Sequence, residues 1–263
     1  MKRSPPPQAR SIAAALALAL LSLPVVTAPA RAAEALVAVA ANFAEVIEEL
    51  TPVFERETGH RLLATTGSTG KLYAQITAGA PFQILLSADA RTPERLEAEG
   101  AGVSGTRFTY AIGRLTLWSS DPAAIPGDGK AALAASGVRH IAIANPDLAP
   151  YGVAAREVLQ GLGLWESLKG KIVMGQNIGQ THSMVATGNA QLGFVALSAV
   201  LSPRAPARGS RWDVPQELFA PIRQDAILLK AGAGNDAARA FLDFLKSGPA
   251  REIIGLFGYG VEK

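Results

Sequence analysis

Four predicted junctions between a strand and a helix hold the residues of this 263-residue chain that are best suited to chemistry. Asn42 follows the first predicted strand, residues 67–70 (GSTG) follow the second, and residues 145–152 and 176–180 follow two later strands. Their hydroxyl, amide and backbone N–H groups can donate hydrogen bonds, and a helix N-terminus has a partial positive charge. Each junction taken alone predicts only a capped helix. The four together predict helix N-termini that converge on an anion.

The charges near these junctions limit which anion they could bind. Lys71 and Asp147 are present, but there is no cluster of arginines or lysines. Sites for nucleotides and sugar phosphates usually recruit arginine, because its forked guanidinium matches the phosphate oxygens. Neutral donors therefore predict a small, fully ionised oxyanion that is removed from water on binding.

Other kinds of active site have less support in the sequence. The phosphate-loop pattern GxxxxGK[ST] fails, because Thr65 stands at its first glycine and Leu72 follows its lysine. The sequence has no G-x-S-x-G motif and no histidine pair at zinc-binding spacing, and the absence of cysteine excludes thiolate catalysis and iron–sulfur clusters. A hydrolase that pairs Ser183 with one of the three histidines stays open as an alternative; these are His60, His140 and His182.

The elements that must position these junctions alternate between short apolar runs and amphipathic stretches, which predicts an α/β fold with mainly parallel sheets covered by helices. Strands are predicted over residues 35–41, 61–66, 84–87, 110–119, 141–144, 171–174, 192–196 and 221–229. Helices are predicted over residues 43–57, 72–78, 92–99, 152–162, 180–187, 235–247 and 249–257. Residues 202–216, rich in proline, arginine and glycine, predict a surface loop.

Two alternating series of this kind predict two lobes with a ligand cleft between them. Lobe one is predicted to comprise residues 33–111 and 221–263, and lobe two residues 112–220. Hinges are expected near Gly113 and near Ala220. Ligands of open α/β sheets bind beyond the carboxyl ends of the strands, which is where the four polar junctions lie.

Residues 1–32 have the features of a cleaved secretory signal peptide. Basic residues precede an apolar run at residues 12–21, and Ala30 and Ala32 form a small-x-small cleavage pattern. The run is too short to span a bilayer, which needs about 20 residues. Without this segment the chain has 21 basic and 22 acidic residues, so its charge gives no case for nucleic-acid binding. We therefore expect a periplasmic protein.

Six stretches of the chain together resemble one known family. They are residues 37–43 (VAVAANF), 67–81 (GSTGKLYAQITAGAP), 85–89 (LLSAD), 143–152 (IANPDLAPYG), 179–193 and 241–259. The chain resembles the periplasmic molybdate-binding proteins of ABC transporters, which are two-lobed type II solute-binding proteins. The resemblance covers essentially the whole chain after residue 32. It implies the type II fold and a tetrahedral oxyanion held between the lobes.

The resemblance also assigns ligand-binding positions, which are Ala41, Asn42, Ser68, Thr69, Tyr151 and Ile178. Molybdate would be held mainly through Asn42, Thr69, Tyr151 and the backbone N–H of Ile178. An ungapped match favours the Thr69 hydroxyl, with that of Ser68 as the alternative. Some family members use a tyrosine where this chain has Ala196, and we expect the phenol of Tyr151 to replace that donor.

The function implied is capture of molybdate, and of tungstate too, for the membrane permease of an ABC importer. The protein would be a monomer with no cofactor, no catalytic residue and no nucleic-acid partner. The alternatives are a binding protein for sulfate or another oxyanion, and the periplasmic hydrolase described above.

Overall fold

The computed structural model describes Met1, residues 32–204 and residues 208–260. Residues 2–31 of the predicted signal peptide lie outside the described residues, so the structure does not bear on that prediction. Within the described ranges, no helix is both long enough and apolar enough to cross a membrane.

Ten strands and ten α-helices make up the described chain. The strands are β1 (Glu34–Ala40), β2 (Arg61–Gly67), β3 (Ile84–Leu86), β4 (Phe108–Gly113), β5 (Leu115–Ser119), β6 (Ile141–Ala144), β7 (Ile172–Gly175), β8 (Leu192–Ala196), β9 (Ser210–Asp213) and β10 (Ile222–Leu228). The helices are α1 (Ala44–Thr58), α2 (Thr69–Thr77), α3 (Arg91–Ala98), α4 (Gly129–Ala134), α5 (Pro150–Gly161), α6 (Trp165–Leu168), α7 (Ile178–Ala186), α8 (Leu197–Val200), α9 (Asp236–Phe244) and α10 (Gly248–Leu256).

The strands form two five-stranded sheets with the same arrangement of directions. The first sheet has the order β2-β1-β3-β10-β4, and only β10 runs against the other four strands. The second has the order β7-β6-β8-β5-β9, and only β5 runs against its neighbours. This is the predicted α/β fold of two lobes, each a mainly parallel sheet flanked by helices.

Local sequence explains why these elements form. β1 is apolar along most of its length, as expected for a parallel strand that is covered on both faces. In α1, Val46, Ile47, Leu50 and Phe54 recur at helical spacing and are buried together against the first sheet. The helix stops at Gly59, whose φ of 72° is a left-handed conformation that suits glycine.

One predicted strand is wrong in its extent. Residues 110–119 were expected to form one long strand, but β4 ends at Gly113 and β5 begins at Leu115, in the other sheet. The run is apolar on both sides of Arg114, so its hydrophobic pattern does not show that the chain changes sheets there. The first sheet therefore extends two residues past the predicted lobe boundary at residue 111.

The predicted surface loop at residues 202–216 is also wrong in part. Ser210–Asp213 form β9, which pairs antiparallel with β5 at the edge of the second sheet. Edge strands are often short and charged, which makes them resemble loops in sequence. Arg211 lies in this strand and pairs with Asp213 at 3.1 Å, while Arg204 forms ion pairs with the carboxylates of Glu48 and Glu49.

Three helices at the junctions begin earlier than predicted, and one of them is α5, which begins at Pro150 rather than at residue 152. α2 begins at Thr69 rather than at residue 72, and α7 begins at Ile178 rather than at residue 180. The polar junction residues therefore lie in the first turns of their helices. Backbone N–H groups in a first turn lack partners within the helix, so they are available to a ligand.

Candidate functional site

Four junctions between a strand and a helix meet around one small cavity. Ala41 and Asn42 follow β1. At the next junction Gly67 ends β2, Ser68 follows it, and Thr69 begins α2. The loop before α5 and the N-terminus of α7 complete the wall. The residues that line the cavity are Ala40, Ala41, Asn42, Gly67, Ser68, Thr69, Ala88, Ala149, Pro150, Tyr151, Asn177 and Ile178. All six predicted ligand positions lie in this wall, and none of its residues carries a charge.

At the first junction, Asn42 does not have the simple capping role that its position suggests. It lies in a short 3₁₀ turn, Ala41–Phe43, and its side-chain oxygen accepts no hydrogen bond from a backbone N–H. Its Nδ2 donates to Gln224 Oε1 at 2.7 Å and to the Tyr259 hydroxyl at 3.0 Å. Its Oδ1 is buried and has no hydrogen-bond partner.

At the second junction, the two adjacent hydroxyl groups differ in availability. Both Ser68 and Thr69 are 2% exposed. Thr69 Oγ1 accepts a hydrogen bond from the backbone N–H of Ala88 at 3.1 Å, so its oxygen already has a structural partner. Ser68 Oγ is buried without any partner. Both hydroxyls can therefore donate to a ligand, because an accepted hydrogen bond leaves the Thr69 hydrogen free, but only Ser68 Oγ has no partner at all. The structure thus favours Ser68 as the residue that needs a ligand, whereas the family resemblance favoured Thr69.

At the third junction, Tyr151 follows Pro150, whose fixed φ suits the first position of α5. Tyr151 is 1% exposed, and its hydroxyl oxygen accepts a hydrogen bond from Gln224 Nε2 at 3.2 Å. Burial raises the pKa of Tyr151 well above its ordinary value, with a further contribution from nearby Tyr259. The phenol therefore keeps its proton near neutral pH and can act as a donor.

At the fourth junction, the chain offers backbone chemistry. Asn177 Oδ1 accepts from the N–H of Gln180 at 2.9 Å and so caps α7. Ile178 is the first residue of that helix, where a backbone N–H has no partner within the helix and points along its positive end. Such an N–H suits an anion whatever the side chain is.

Direct hydrogen bonds join the two lobes beside the cavity. The Gly70 N–H donates to the Leu148 carbonyl at 2.9 Å. On another side, the Ser198 hydroxyl donates to the Asn42 carbonyl at 3.3 Å, and the Tyr259 hydroxyl lies 2.7 Å from the same carbonyl and 3.0 Å from Ser198 Oγ. These contacts close the cavity around any small ligand.

Sequence reasoning missed the polar residues that lie behind the cavity, namely Tyr110, Ser198, Gln224 and Tyr259. Gln224 is fully buried in β10, and Tyr259 is 7% exposed near the C-terminus. Little in the sequence pointed to Gln224, because it stands between Arg223 and Asp225 in the polar first half of a predicted strand. Ala196 ends β8 and lines a neighbouring cavity of about 190 Å³, together with Asn42, Ile178 and His182.

The hydrolase alternative finds no support in the placement of Ser183. Its hydroxyl donates to the Gly179 carbonyl at 3.1 Å, one turn back in its own helix. The ring of the adjacent His182 stacks on Trp118 at 4.8 Å, and burial lowers the pKa of this histidine. A serine nucleophile needs a histidine base within hydrogen-bond reach, and these contacts direct the two side chains elsewhere.

Two α/β lobes that enclose a small, uncharged cavity, with hydrogen-bond donors from both lobes in its wall, define the architecture of a solute-binding protein. The chain belongs to the family of bacterial extracellular solute-binding proteins, whose model matches residues 35–260.

Individual relatives cover nearly the whole chain. It is 50% identical over 233 residues to the molybdate-binding protein ModA of Azotobacter vinelandii, covering 89% of this chain and 92% of the relative. It is 49% identical over 258 residues to ModA of Rhodobacter capsulatus, covering 98% of each chain. The solved structure of the periplasmic molybdate-binding protein of Azotobacter vinelandii superposes with a TM-score of 0.84 at 42% identity, covering 87% of this chain and all of that one.

Proposed function

We propose that this protein captures molybdate, and tungstate as well, in the cavity between its lobes and delivers it to the permease of an ABC importer. The relatives that are about half identical to it are named as molybdate-binding proteins. The observation that carries the proposal is the cavity wall, where neutral donors from four junctions converge and no charged side chain takes part. A small dianion fits such a wall, because helix N-termini and N–H groups stabilise it.

Each junction would contribute a different donor. The Ser68 hydroxyl and the Tyr151 phenol would donate from opposite lobes, and backbone N–H groups of Ala41, Asn42 and Ile178 would supply the rest. Thr69 would hold the site in shape by accepting from the Ala88 N–H, and we assign the main hydroxyl donor to Ser68 because its buried oxygen has no other partner. Hydrogen bonds to a charged partner contribute about 1.5–3 kcal/mol each, so a few of them are enough for tight binding.

Binding would also favour the closed arrangement of the lobes. A ligand that contacts both lobes stabilises the conformation in which they meet, and the permease would recognise that form. We further propose that lobe one comprises residues 33–113 and 221–263, since β4 of its sheet ends at Gly113, and that lobe two comprises residues 114–220. The protein would be a periplasmic monomer without a cofactor, released by cleavage of residues 1–32.

Calorimetric titration with molybdate, tungstate, sulfate and phosphate tests the proposal. We expect tight binding of the first two and weaker binding of sulfate, whose bonds from the central atom to oxygen are shorter. Phosphate should bind most weakly near neutral pH, because its proton needs an acceptor and the wall offers mainly donors. Strong binding of sulfate alone, or of none of the four, would overturn the proposal.

A thermal melt provides an independent measurement. The unfolded chain lacks the four junctions, so a ligand at about 1,000 times its Kd should stabilise the folded state by ~4 kcal/mol. For a chain of this length that corresponds to a rise in Tm of roughly 8–16 °C.

A further inference from the structure

Gln224 lies behind the cavity, on β10 in the first sheet, and does not form part of the wall. Its side chain is completely buried, at the point where the pairing of β10 with β4 shifts register. Gly113 provides the room, because a Cβ at that position would lie 2.3 Å from the Tyr151 hydroxyl oxygen and 2.6 Å from Gln224 Nε2. A buried amide at such a place must find hydrogen-bond partners.

Gln224 finds these partners in two cavity residues that come from different lobes. Its Oε1 accepts from Asn42 Nδ2 at 2.7 Å, and its Nε2 donates to the Tyr151 hydroxyl at 3.2 Å. The Tyr110 hydroxyl also lies 3.1 Å from Oε1. Because one amide contacts both cavity residues, its orientation decides what each of them can offer an anion.

In the observed orientation, Tyr151 is the better donor of the two. Its oxygen already receives a hydrogen from Gln224, so its own hydrogen is left for the neighbouring Tyr259 hydroxyl or for an anion in the cavity. A charged acceptor would win that competition, because charge-assisted hydrogen bonds are about twice as strong as neutral ones. Asn42 instead uses its Nδ2 on Gln224 and Tyr259, which leaves only its oxygen unpartnered.

The opposite orientation of the Gln224 amide would exchange these roles. Its nitrogen would then face Asn42, which would have to present Oδ1 to it and so release Nδ2. Its oxygen would face Tyr151 and accept the phenolic hydrogen. The two cavity residues are therefore coupled through one amide, and one of them gains a free donor when the other loses it.

We propose that Gln224 determines which of Asn42 and Tyr151 donates a hydrogen bond to the bound oxyanion, and that it is a positioning residue for binding. The inference rests on the proposed function, since it concerns the same cavity. Gln224 lies outside the wall, but the orientation of its amide decides which wall residue has a hydrogen to donate. In the observed orientation that residue is Tyr151.

The test compares two substitutions of Gln224, each with and without Tyr151→Phe. In Gln224→Glu, measured at about pH 9 because burial raises the pKa of a carboxyl group, the ionised carboxylate can only accept, so it draws the phenolic hydrogen of Tyr151 away from the cavity. The other variants are measured at the same pH. Gln224→Met has a similar length but no strong acceptor, so it leaves that hydrogen free. The Kd for molybdate is measured by calorimetry, or by competition where binding is weak.

The informative quantity is the loss of affinity caused by Tyr151→Phe in each background. We expect about a 10-fold loss with wild-type Gln224 and with Gln224→Met, but less than about a 3-fold loss with Gln224→Glu. A ratio within one background cancels any general effect of the new charge or of altered stability.

An equal loss in the Gln224→Glu background would overturn the inference, as would no loss in the wild-type background. If the wild-type protein bound no molybdate, the proposed function itself would fail.

A matched control and a measurement on the wild-type protein complete the design. Tyr110→Phe removes a hydrogen bond to the same Oε1 without touching the cavity, and it should change the Kd by less than about 3-fold. If the Gln224→Glu protein does not fold, the side-chain amide NMR signals of wild-type Gln224 and Asn42 decide the question. Both pairs of signals should shift when molybdate is added, and unchanged Gln224 signals would overturn the inference.

Discussion

The backbone N–H of Gly70 donates to the carbonyl of Leu148 at 2.9 Å, and this bond joins the N-terminal turn of α2 in one lobe to the loop before α5 in the other. The approach is close because Gly70 has no side chain: a Cβ there would lie 3.1 Å from the Leu148 oxygen and 3.2 Å from its Cα. Gly70 therefore acts at the closure of the cleft as well as in the structure of its helix.

Substitution of Gly70 should weaken closure without harming the fold. In Gly70→Ala, the added methyl group must push the Leu148 backbone away, so we expect the Kd for molybdate to rise by about 3- to 10-fold. The ligand-free protein should be as stable as wild type or slightly more so, because alanine is favoured over glycine within helices. Calorimetry and urea unfolding measure the two effects. Gly255→Ala is the matched control, since that helical glycine has open space around its Cβ position and should leave the Kd unchanged.

Substitutions of Ser68 and Thr69 should have opposite main effects, one on the Kd for molybdate and the other on the free energy of unfolding. Ser68→Ala removes a hydroxyl that has no partner in the protein, so the free energy of unfolding should barely change. The Kd for molybdate should rise by about 10- to 150-fold, which corresponds to the loss of roughly 1.5–3 kcal/mol.

Thr69→Val is the complementary change at the adjacent position. It leaves the buried N–H of Ala88 without its acceptor, so we expect a loss of about 1–3 kcal/mol in the free energy of unfolding and a smaller effect on the Kd. Urea unfolding and calorimetry of both variants give the comparison. A larger rise in Kd for Thr69→Val than for Ser68→Ala would show that the Thr69 hydroxyl, and not that of Ser68, is the main donor to the ligand.

The sequence was sufficient to predict the convergence of the four junctions. Parallel strands bring their carboxyl ends to one edge of a sheet, so the polar residues after β1 and β2 lie together, as do those after β6 and β7, and in a two-lobed fold these two edges face each other across the cleft. Asn42, Ser68, Tyr151 and Ile178 line one cavity for that reason, although they are far apart along the chain. Apolar runs and helical spacing were enough to locate most of the elements that carry them.

The network behind the cavity could not be predicted in the same way. The bond between Asn42 and Gln224 joins residues 182 positions apart, and that between Asn42 and Tyr259 joins residues 217 apart. Local periodicity has no information on such pairs. The choice between Ser68 and Thr69 likewise depends on the Ala88 N–H, whose position is set by the tertiary fold.

Three buried tyrosines should make the fold sensitive to alkali. Burial raises the pKa of Tyr259 to about 12 and the pKa values of Tyr110 and Tyr151 well above the ordinary value of 10.0. Above about pH 10 the unfolded chain therefore loses phenolic protons that the folded protein keeps. Stability is fully present below that pH and should fall as the pH rises towards 12, by up to about 1.4 kcal/mol per pH unit for each tyrosine.

Urea unfolding between about pH 8 and pH 11 measures this dependence. Tyr110→Phe, which keeps the ring and removes one ionisable group, should reduce the slope above about pH 10 by roughly a third. A midpoint that is independent of pH up to about pH 11 would contradict the prediction.

Ile178 allows a backbone donor to be tested by mutation. It is the first residue of α7, where proline is tolerated, and the extended conformation of Asn177 (φ −155°, ψ 174°) suits a residue that precedes proline. Ile178→Pro therefore removes the N–H while the helix can still form.

Ile178→Ala removes most of the same buried side chain but keeps the N–H, so the two variants should lose similar packing energy. We expect Ile178→Pro to bind molybdate about 10-fold or more weakly than Ile178→Ala, because only the proline variant lacks the hydrogen bond to the anion. Circular dichroism checks that α7 is retained and calorimetry compares the Kd values. Equal Kd values for the two variants would exclude the Ile178 N–H from the site.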